Sequence, residues 1–219
     1  VTPYFWFSDV SLDASVRDLS TGTVVPIGDL LEKFDIGGQV VLEAESGRLR
    51  LFTDLSYIEL SDSNTRNLGP SGGVAVAIDS GLDQFIADVG AGVRLGGEDS
   101  HWELIFGARF LEIDIEANLT PGPTIDSDIS ETDGFVGLRW VADVSDRWML
   151  FARGDIGFGG SDEDYQILLG AGRHFGEKGN KSFLFAWREL AFEFDSGSRE
   201  LINTELGYSG PVVGVRFEF

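Results

Sequence analysis

Apolar and polar residues alternate with a period of two along most of the chain, and this alternation predicts a protein built from β-strands. The predicted strands number about ten, with boundaries good to a few residues. They run from Pro3 to Val16, Phe34 to Ala44, Leu49 to Leu60, Gly73 to Leu95, His101 to Ala117, Ile129 to Val144, Trp148 to Gly159, Asp164 to Phe175, Ser182 to Phe194, and Leu201 to Phe219. The fourth is long enough to extend beyond a membrane or to contain a break at Asp79 to Asp83.

The connections between these strands alternate between short turns and longer loops. The turns cover residues 45–48, 96–100, 145–147 and 176–180, and they are rich in turn-forming residues. The loops cover residues 17–33, 61–72, 118–128, 160–163 and 195–200, and Pro26 to Lys33 has the pattern of a short helix. This arrangement is typical of an all-β, antiparallel up-and-down transmembrane β-barrel with periplasmic turns and extracellular loops. An even number of strands then predicts that both termini are periplasmic.

The two faces of each predicted strand differ in chemistry. Between Leu49 and Tyr57 every second residue is uncharged, while the positions between them include Arg50 and Asp54. Strands near Arg94, Arg153 and the other arginines repeat this separation. A soluble barrel or sandwich would place the apolar face inside instead, and alternation alone does not distinguish the two structures.

Three features favour an apolar face that contacts lipid. Glycine accompanies arginine on the polar face, as in Gly107-Ala-Arg109, where it leaves room for long side chains in a narrow lumen. The polar face uses arginine almost without lysine, which suits buried bidentate ion pairs. Bulky aromatic residues form two bands on the apolar face, as in interfacial girdles. The band toward the turns comprises Trp102, Trp140, Trp148, Phe175, Phe183, Phe217 and Phe219, and the band toward the loops comprises Tyr57, Phe110, Phe158 and Tyr165.

The segment Val212-Val-Gly-Val-Arg-Phe-Glu-Phe219 resembles the closing strand of Gram-negative outer-membrane β-barrels. The whole chain resembles small proteobacterial outer-membrane proteins of this kind, through pieces such as Val136-Gly-Leu-Arg-Trp140, Ser145-Asp-Arg-Trp148 and Ser209-Gly-Pro-Val212. The resemblance implies one barrel domain over residues 1–219 in the bacterial outer membrane. It also implies recognition of the C-terminal strand by the barrel-assembly machinery, but no substrate.

Composition narrows the possible partners. The chain has 37 Asp and Glu against 16 Lys and Arg, a net charge of −21, which argues against nucleic acid and against attachment to anionic lipid. With 42% hydrophobic residues the chain is apolar enough to be ordered. Cysteine is absent, which excludes disulfides and thiolate metal sites.

The charged face is the main candidate site. We expect a ladder of paired charges in the lumen, because a ten-stranded barrel is only slightly wider than one that side chains fill. Such a ladder either crosslinks and plugs the wall or lines a narrow conduit for small solutes or anions. Its residues are Arg50, Asp54, Asp88, Arg94, Glu103, Arg109, Arg139, Arg153, Asp155, Arg188, Arg216 and Glu218, together with Glu43.

The remaining acidic residues are expected in aqueous loops and turns, most densely from Glu112 to Asp133. Asp126-Ser-Asp128 resembles the start of a calcium loop but lacks its glycine and bidentate glutamate. We therefore predict no metal site and no cofactor. Diffuse divalent bridging to lipopolysaccharide, or simple solvation, remains open as the role of these acids.

Catalysis needs a base near a nucleophile or an activated water, and the chain offers only His101 and His174, both at predicted turns. The sequence thus predicts a non-enzymatic outer-membrane barrel with a structural or narrow-channel role. The alternative is a docking subunit of a larger envelope assembly that uses acidic loops or the outer wall. An outer-membrane hydrolase is the least favoured reading.

Overall fold

The computed structural model describes residues 1–16, 19–25, 34–68, 74–97, 100–120, 122–176, 180–195 and 202–219. Its strands are antiparallel throughout. They are β1 (Thr2–Trp6), β2 (Asp9–Val16), β3 (Leu19–Val25), β4 (Phe34–Ser46), β5 (Leu49–Leu68), β6 (Val74–Gly96), β7 (Ser100–Thr120), β8 (Thr124–Ser145), β9 (Trp148–Gly159), β10 (Glu163–Phe175), β11 (Lys181–Asp195) and β12 (Ile202–Phe217). Among the described residues no helix is long and apolar enough to cross a membrane.

The sheet closes on itself through β1, which pairs with β4 on one side and β12 on the other. The closed ring contains β1 and β4 to β12, so the predicted ten-stranded antiparallel barrel is confirmed. β1 and β2 are two parts of one strand, because Trp6 lies opposite Val212 and Asp9 opposite Ser209 without a change of register. The interruption falls opposite Pro211, which has no N–H to donate to the ladder.

β3 corrects the prediction that residues 17–33 form only a loop. It pairs with β2, from Val10 opposite Val25 to Val16 opposite Leu19, and extends the sheet beyond the closed ring. Its β-branched residues Thr21, Thr23, Val24 and Val25 suit a strand, but Gly22 and its short length concealed it. The helix predicted at Pro26 to Lys33 lies outside the described residues.

The wall is much taller on one side of the barrel than on the other. β5 and β6 pair as far as Leu68 opposite Val74, and β7 and β8 as far as Asn118 opposite Thr124. β6 is therefore continuous through residues 79–83, and no break occurs there. The pairing of β8 with β9 instead stops at Asp133 opposite Gly159, and residues 160–162 join β9 to β10 there. We call the end with these connections the loop end and the end with Gly47 and Gly176 the turn end.

In the turn-end half of the ring, exposed and mostly apolar side chains alternate with buried ones that are mainly polar. On β7, for example, Trp102 and Leu104 are exposed, whereas His101, Glu103 and Ile105 are buried. The predicted aromatic residues toward the turns occupy the outer surface to different extents. Trp102, Trp148, Phe183 and Phe219 are exposed, and Trp140, Phe175 and Phe217 are half-buried.

Two pairs of these aromatics touch across neighbouring strands. The rings of Trp102 and Trp140 lie 6.4 Å apart, and those of Phe175 and Phe183 are stacked at 4.4 Å. Aromatic pairs of this kind add stability to that of the strand ladder itself. They form a partial ring around the turn end of the barrel.

Candidate functional site

The centre of the lumen is occupied by Arg109, whose side chain is 0% exposed. Its Nε donates to Asp88 at 2.8 Å, one Nη donates to Asp155 at 2.7 Å, and the other Nη contacts Asp164. Arg153 bridges Asp88 and Asp155 a second time, at 2.8 and 2.6 Å. These ion pairs join β6, β7, β9 and β10 across the interior.

Arg188 extends this network to the opposite wall. Its Nε donates to Gln166 at 2.6 Å, and one Nη lies 3.1 Å from both Asp54 and the Tyr4 hydroxyl. Tyr4 in turn donates to Asp54 at 2.6 Å. Gln166 also donates to Asp155 at 3.2 Å, so the contacts are continuous across the lumen. The charged residues of this central ion-pair layer are Arg109, Arg153, Arg188, Asp54, Asp88, Asp155 and Asp164.

A second group of charges lies toward the turn end. Arg50 donates to Glu103 at 2.7 Å and to Glu43 at 2.9 Å, and Arg139 lies 3.1 Å from Glu103. The outermost pairs of this turn-end charge group are more exposed. They are Arg94 with Glu45 at 2.8 Å and Arg216 with Glu218 at 3.1 Å.

Some lumenal glycines make room for charged side chains, as the sequence predicts, and others make room for aromatic rings. A Cβ on Gly92 would lie 3.7 Å from Nε of Arg50. A Cβ on Gly90 would lie 2.7 Å from Cζ of Phe52, and one on Gly107 would lie 2.8 Å from Cζ of Phe135. Guanidinium groups lie over these rings, as Arg50 does at 4.6 Å from the centroid of Phe52. Glycine thus makes room for the apolar supports of the charged layer.

An apolar layer lies in the lumen on the loop side of the ion pairs. Phe192 and Leu190 are fully buried in it, and Leu111 is almost so. The sequence pattern predicts a charged inward face and does not reveal this layer. Its signal was present in the register, because Ile86 and Leu111 continue the inward positions of Asp88 and Arg109. The layer comprises Tyr4, Trp6, Ile86, Leu111, Ile113, Leu190, Phe192, Leu206 and Tyr208.

Two acidic residues are placed differently from the sequence expectation. The sequence places Asp133 among the solvated loop acids, but it is buried and accepts hydrogen bonds from the Ser161 backbone N–H at 3.0 Å and the Ser161 hydroxyl at 2.6 Å. Asp164 was not singled out, although it contacts Arg109. Both lie at strand positions that face inward, so strand parity rather than distance from a loop decided their burial.

The loop-end wall carries an acidic row on its outer surface. Asp83 lies directly opposite both Glu59 and Asp114, and Asp114 also lies directly opposite Asp128. Like charges in directly opposed positions repel each other and destabilise a sheet. We use the term acidic row for Glu59, Asp83, Asp114 and Asp128.

Replacing the central member of this row should stabilise the protein. Asp114→Asn removes repulsion with two neighbours, so we expect a gain of about 0.5 to 1 kcal/mol in the free energy of unfolding at low salt. The gain should shrink in high salt, because exposed charges are screened. Urea unfolding in lipid vesicles at two ionic strengths would measure it, and a loss of stability at both would contradict the repulsion.

Small cavities remain on the turn side of the central ion-pair layer. They measure about 90 and 120 Å³ and share a wall formed by Phe151, Leu168 and Leu184. Arg153 and Asp54 line their polar side. Each has room for only a few waters, and the ion-pair layer separates them from the loop end.

Each histidine lies close to an acidic side chain at the turn end. His101 contacts Glu103 at 3.2 Å within the turn-end charge group. His174 lies between the Ser182 hydroxyl, 2.9 Å from its Nδ1, and Asp143, 3.5 Å from its Nε2, so its two ring nitrogens are exchanged relative to a hydrolytic triad. Ser182 is moreover only 1% exposed, so a substrate carbonyl has no path to its oxygen. The described residues also contain no cluster of three metal-binding side chains.

No family model and no curated protein matches the chain. Among solved structures, it is similar over 100% of its length to 88% of the translocator domain of the autotransporter NalP from Neisseria meningitidis, with a TM-score of 0.52 and 16% identity. It also aligns with the transport unit of AIDA-I from Escherichia coli, with a TM-score of 0.46, 8% identity and coverage of 100% and 89%. A Pseudomonas aeruginosa FadL homologue aligns with a TM-score of 0.37 and 11% identity, over 99% of this chain and 89% of the homologue. The chain has the fold of bacterial outer-membrane β-barrels.

Proposed function

We propose that this protein is a non-enzymatic outer-membrane barrel whose own side chains close its lumen, so that it serves the envelope as a structural element and not as a pore. The observation that carries this proposal is the complete burial of Arg109 among three carboxylates. A guanidinium enclosed in this way fills the part of the lumen between β6, β7, β9 and β10. The short turns at the end that holds both Thr2 and Phe217 support periplasmic termini and extracellular loops.

Two successive closures support the absence of transport. An ion entering from the turn end meets the central ion-pair layer, in which every arginine already has carboxylate partners. Beyond it lies the apolar layer, where Phe192 and Leu190 are fully buried. An apolar constriction without water opposes ion passage even where its width would permit it.

Planar-bilayer recordings of the folded, purified protein test this function. We expect no steady conductance above that of the lipid alone. The variant Arg109→Ala with Arg188→Ala removes the two side chains that span the lumen, and it provides the comparison for a loosened centre. Heat-dependent mobility on gels would verify that each protein is folded. Stable, ion-selective conductance steps recorded from the unmodified barrel would contradict the closed lumen and favour the narrow channel.

The acidic row favours docking as a second candidate function. The outer wall beyond the apolar band carries exposed Asp114, Glu116, Asp126 and Asp128, with no basic side chain among their cross-strand partners. Such a surface would bind a basic envelope protein or, through divalent cations, lipopolysaccharide phosphates. Recognition of β12 by the barrel-assembly machinery is also part of this proposal.

A further inference from the structure

The loop-end half of β8 has a strand partner on one side only. β7 pairs with it as far as Thr124, whereas its pairing with β9 reaches only Asp133 opposite Gly159. The last contact on the β9 side is the hydrogen bond from the Gly160 N–H to the Thr132 carbonyl at 3.0 Å. Residues 124–131 therefore pair with no second strand among the described residues, over a length of about 25 Å.

The register identifies the backbone groups that this leaves open. Because the Thr132 carbonyl points toward β9, alternation along the strand directs the backbone groups of Ser130, Asp128 and Asp126 to the same side. Each offers one donor and one acceptor. A row of such groups is a template for another strand. We call residues 124–131 the β8 edge.

The two faces beside the β8 edge have opposite chemistry. Asp126 and Asp128 project outward and are exposed on the same outer surface as the acidic row. Ile129 projects inward and packs against the apolar layer, while Ile113 lies opposite it on β7. A strand added here would place alternate side chains beside carboxylates and beside isoleucines.

We propose that the β8 edge binds an extended segment of a partner polypeptide in which basic and apolar residues alternate. Its backbone adds an antiparallel or parallel strand to β8, its basic side chains pair with Asp126 and Asp128, and its apolar side chains cover Ile129. This interaction is independent of whether the lumen conducts.

Two other occupants fit the surface less well. A second copy of this chain joined edge to edge would bring Asp126 and Asp128 against their own counterparts, and like charges across a ladder repel. A lipid acyl chain would need space in the apolar layer, but Leu190 and Phe192 there are already fully buried. Charge and packing thus favour a basic strand.

A peptide of nine residues that alternates lysine and valine is a direct probe. We expect it to bind the complete folded barrel in phosphatidylcholine nanodiscs, as measured by fluorescence anisotropy. A peptide alternating glutamate and valine should not bind, and neither should a lysine–valine peptide with proline at alternate valines, because it lacks the backbone donors. Equal binding by the proline peptide would overturn strand addition.

Variants of the barrel locate the site. Ser130→Pro removes one N–H that points away from β7, a change that edge strands tolerate, and it should lower peptide affinity at least tenfold. Asp126→Asn with Asp128→Asn should do the same and reduce the salt dependence. The matched control is Asp79→Asn with Asp83→Asn, which removes two exposed acids from the same wall away from the edge and should change affinity less than twofold. Equal losses from both acidic pairs would mean general charge attraction and reject the β8 edge.

Discussion

Arg109→Met should destabilise the barrel by about 3 to 5 kcal/mol, one of the two largest effects we expect from a single substitution. Methionine keeps much of the side-chain volume but removes the charge that Asp88, Asp155 and Asp164 surround. Asp88 and Asp155 would then keep only Arg153, Asp164 would lose its ion pair, and burial prevents water from solvating these carboxylates. Denaturant titration of the protein in lipid vesicles, followed by tryptophan fluorescence, would measure the loss.

Arg94→Met is the matched control for this prediction. Arg94 pairs with Glu45 at 2.8 Å, but its side chain is 29% exposed at the turn end. Exposed ion pairs contribute about 0 to 1 kcal/mol, so the two arginines should differ by several-fold. Adding Asp155→Asn to Arg109→Met should restore part of the lost stability, because it removes one uncompensated charge. Similar small losses from both arginine variants would show that water reaches the centre of the lumen.

The sequence predicted the barrel because the strand period was visible in nearly every segment. Arg50 and Asp54 alternate with Leu49 and Leu51, and a closed antiparallel sheet needs little more than this pattern and alternating connection lengths. β3 was missed because a short strand with a central glycine has the same composition as a loop. Its pairing with β2 is a tertiary contact that local pattern does not contain.

The lumen was harder to predict because strand parity gives direction but not depth. Arg109 and Leu111 are successive inward-facing residues of β7, yet Arg109 belongs to the ion pairs and Leu111 to the apolar layer. Asp133 and Asp126 lie in one acidic stretch, but opposite parity buries the first and exposes the second. Which charges meet depends on the stagger of strands distant in sequence, as in the contact between Tyr4 and Asp54.

The outer surface determines the second large effect. Leu169→Arg should lower the free energy of unfolding by about 2 to 4 kcal/mol in lipid vesicles. Leu169 is 57% exposed and lies midway along β10 between Tyr165 at the loop end and Arg173 at the turn end. An arginine there must hold its charge near the middle of the hydrocarbon. On a protein surrounded by water, the same change at an exposed leucine would alter stability by no more than about 0.5 kcal/mol.

Asp114→Arg supplies the comparison on the aqueous part of the same outer surface. It introduces the same side chain beyond the apolar band, directly opposite Asp83 and Asp128, where the new charge is attractive. We expect no loss of stability and a small gain at low salt. The difference between the two variants measures the lipid environment of the band, since both begin from exposed positions on the outer surface of the barrel. Equal, negligible effects would place Leu169 in water and require the soluble barrel in place of the membrane one.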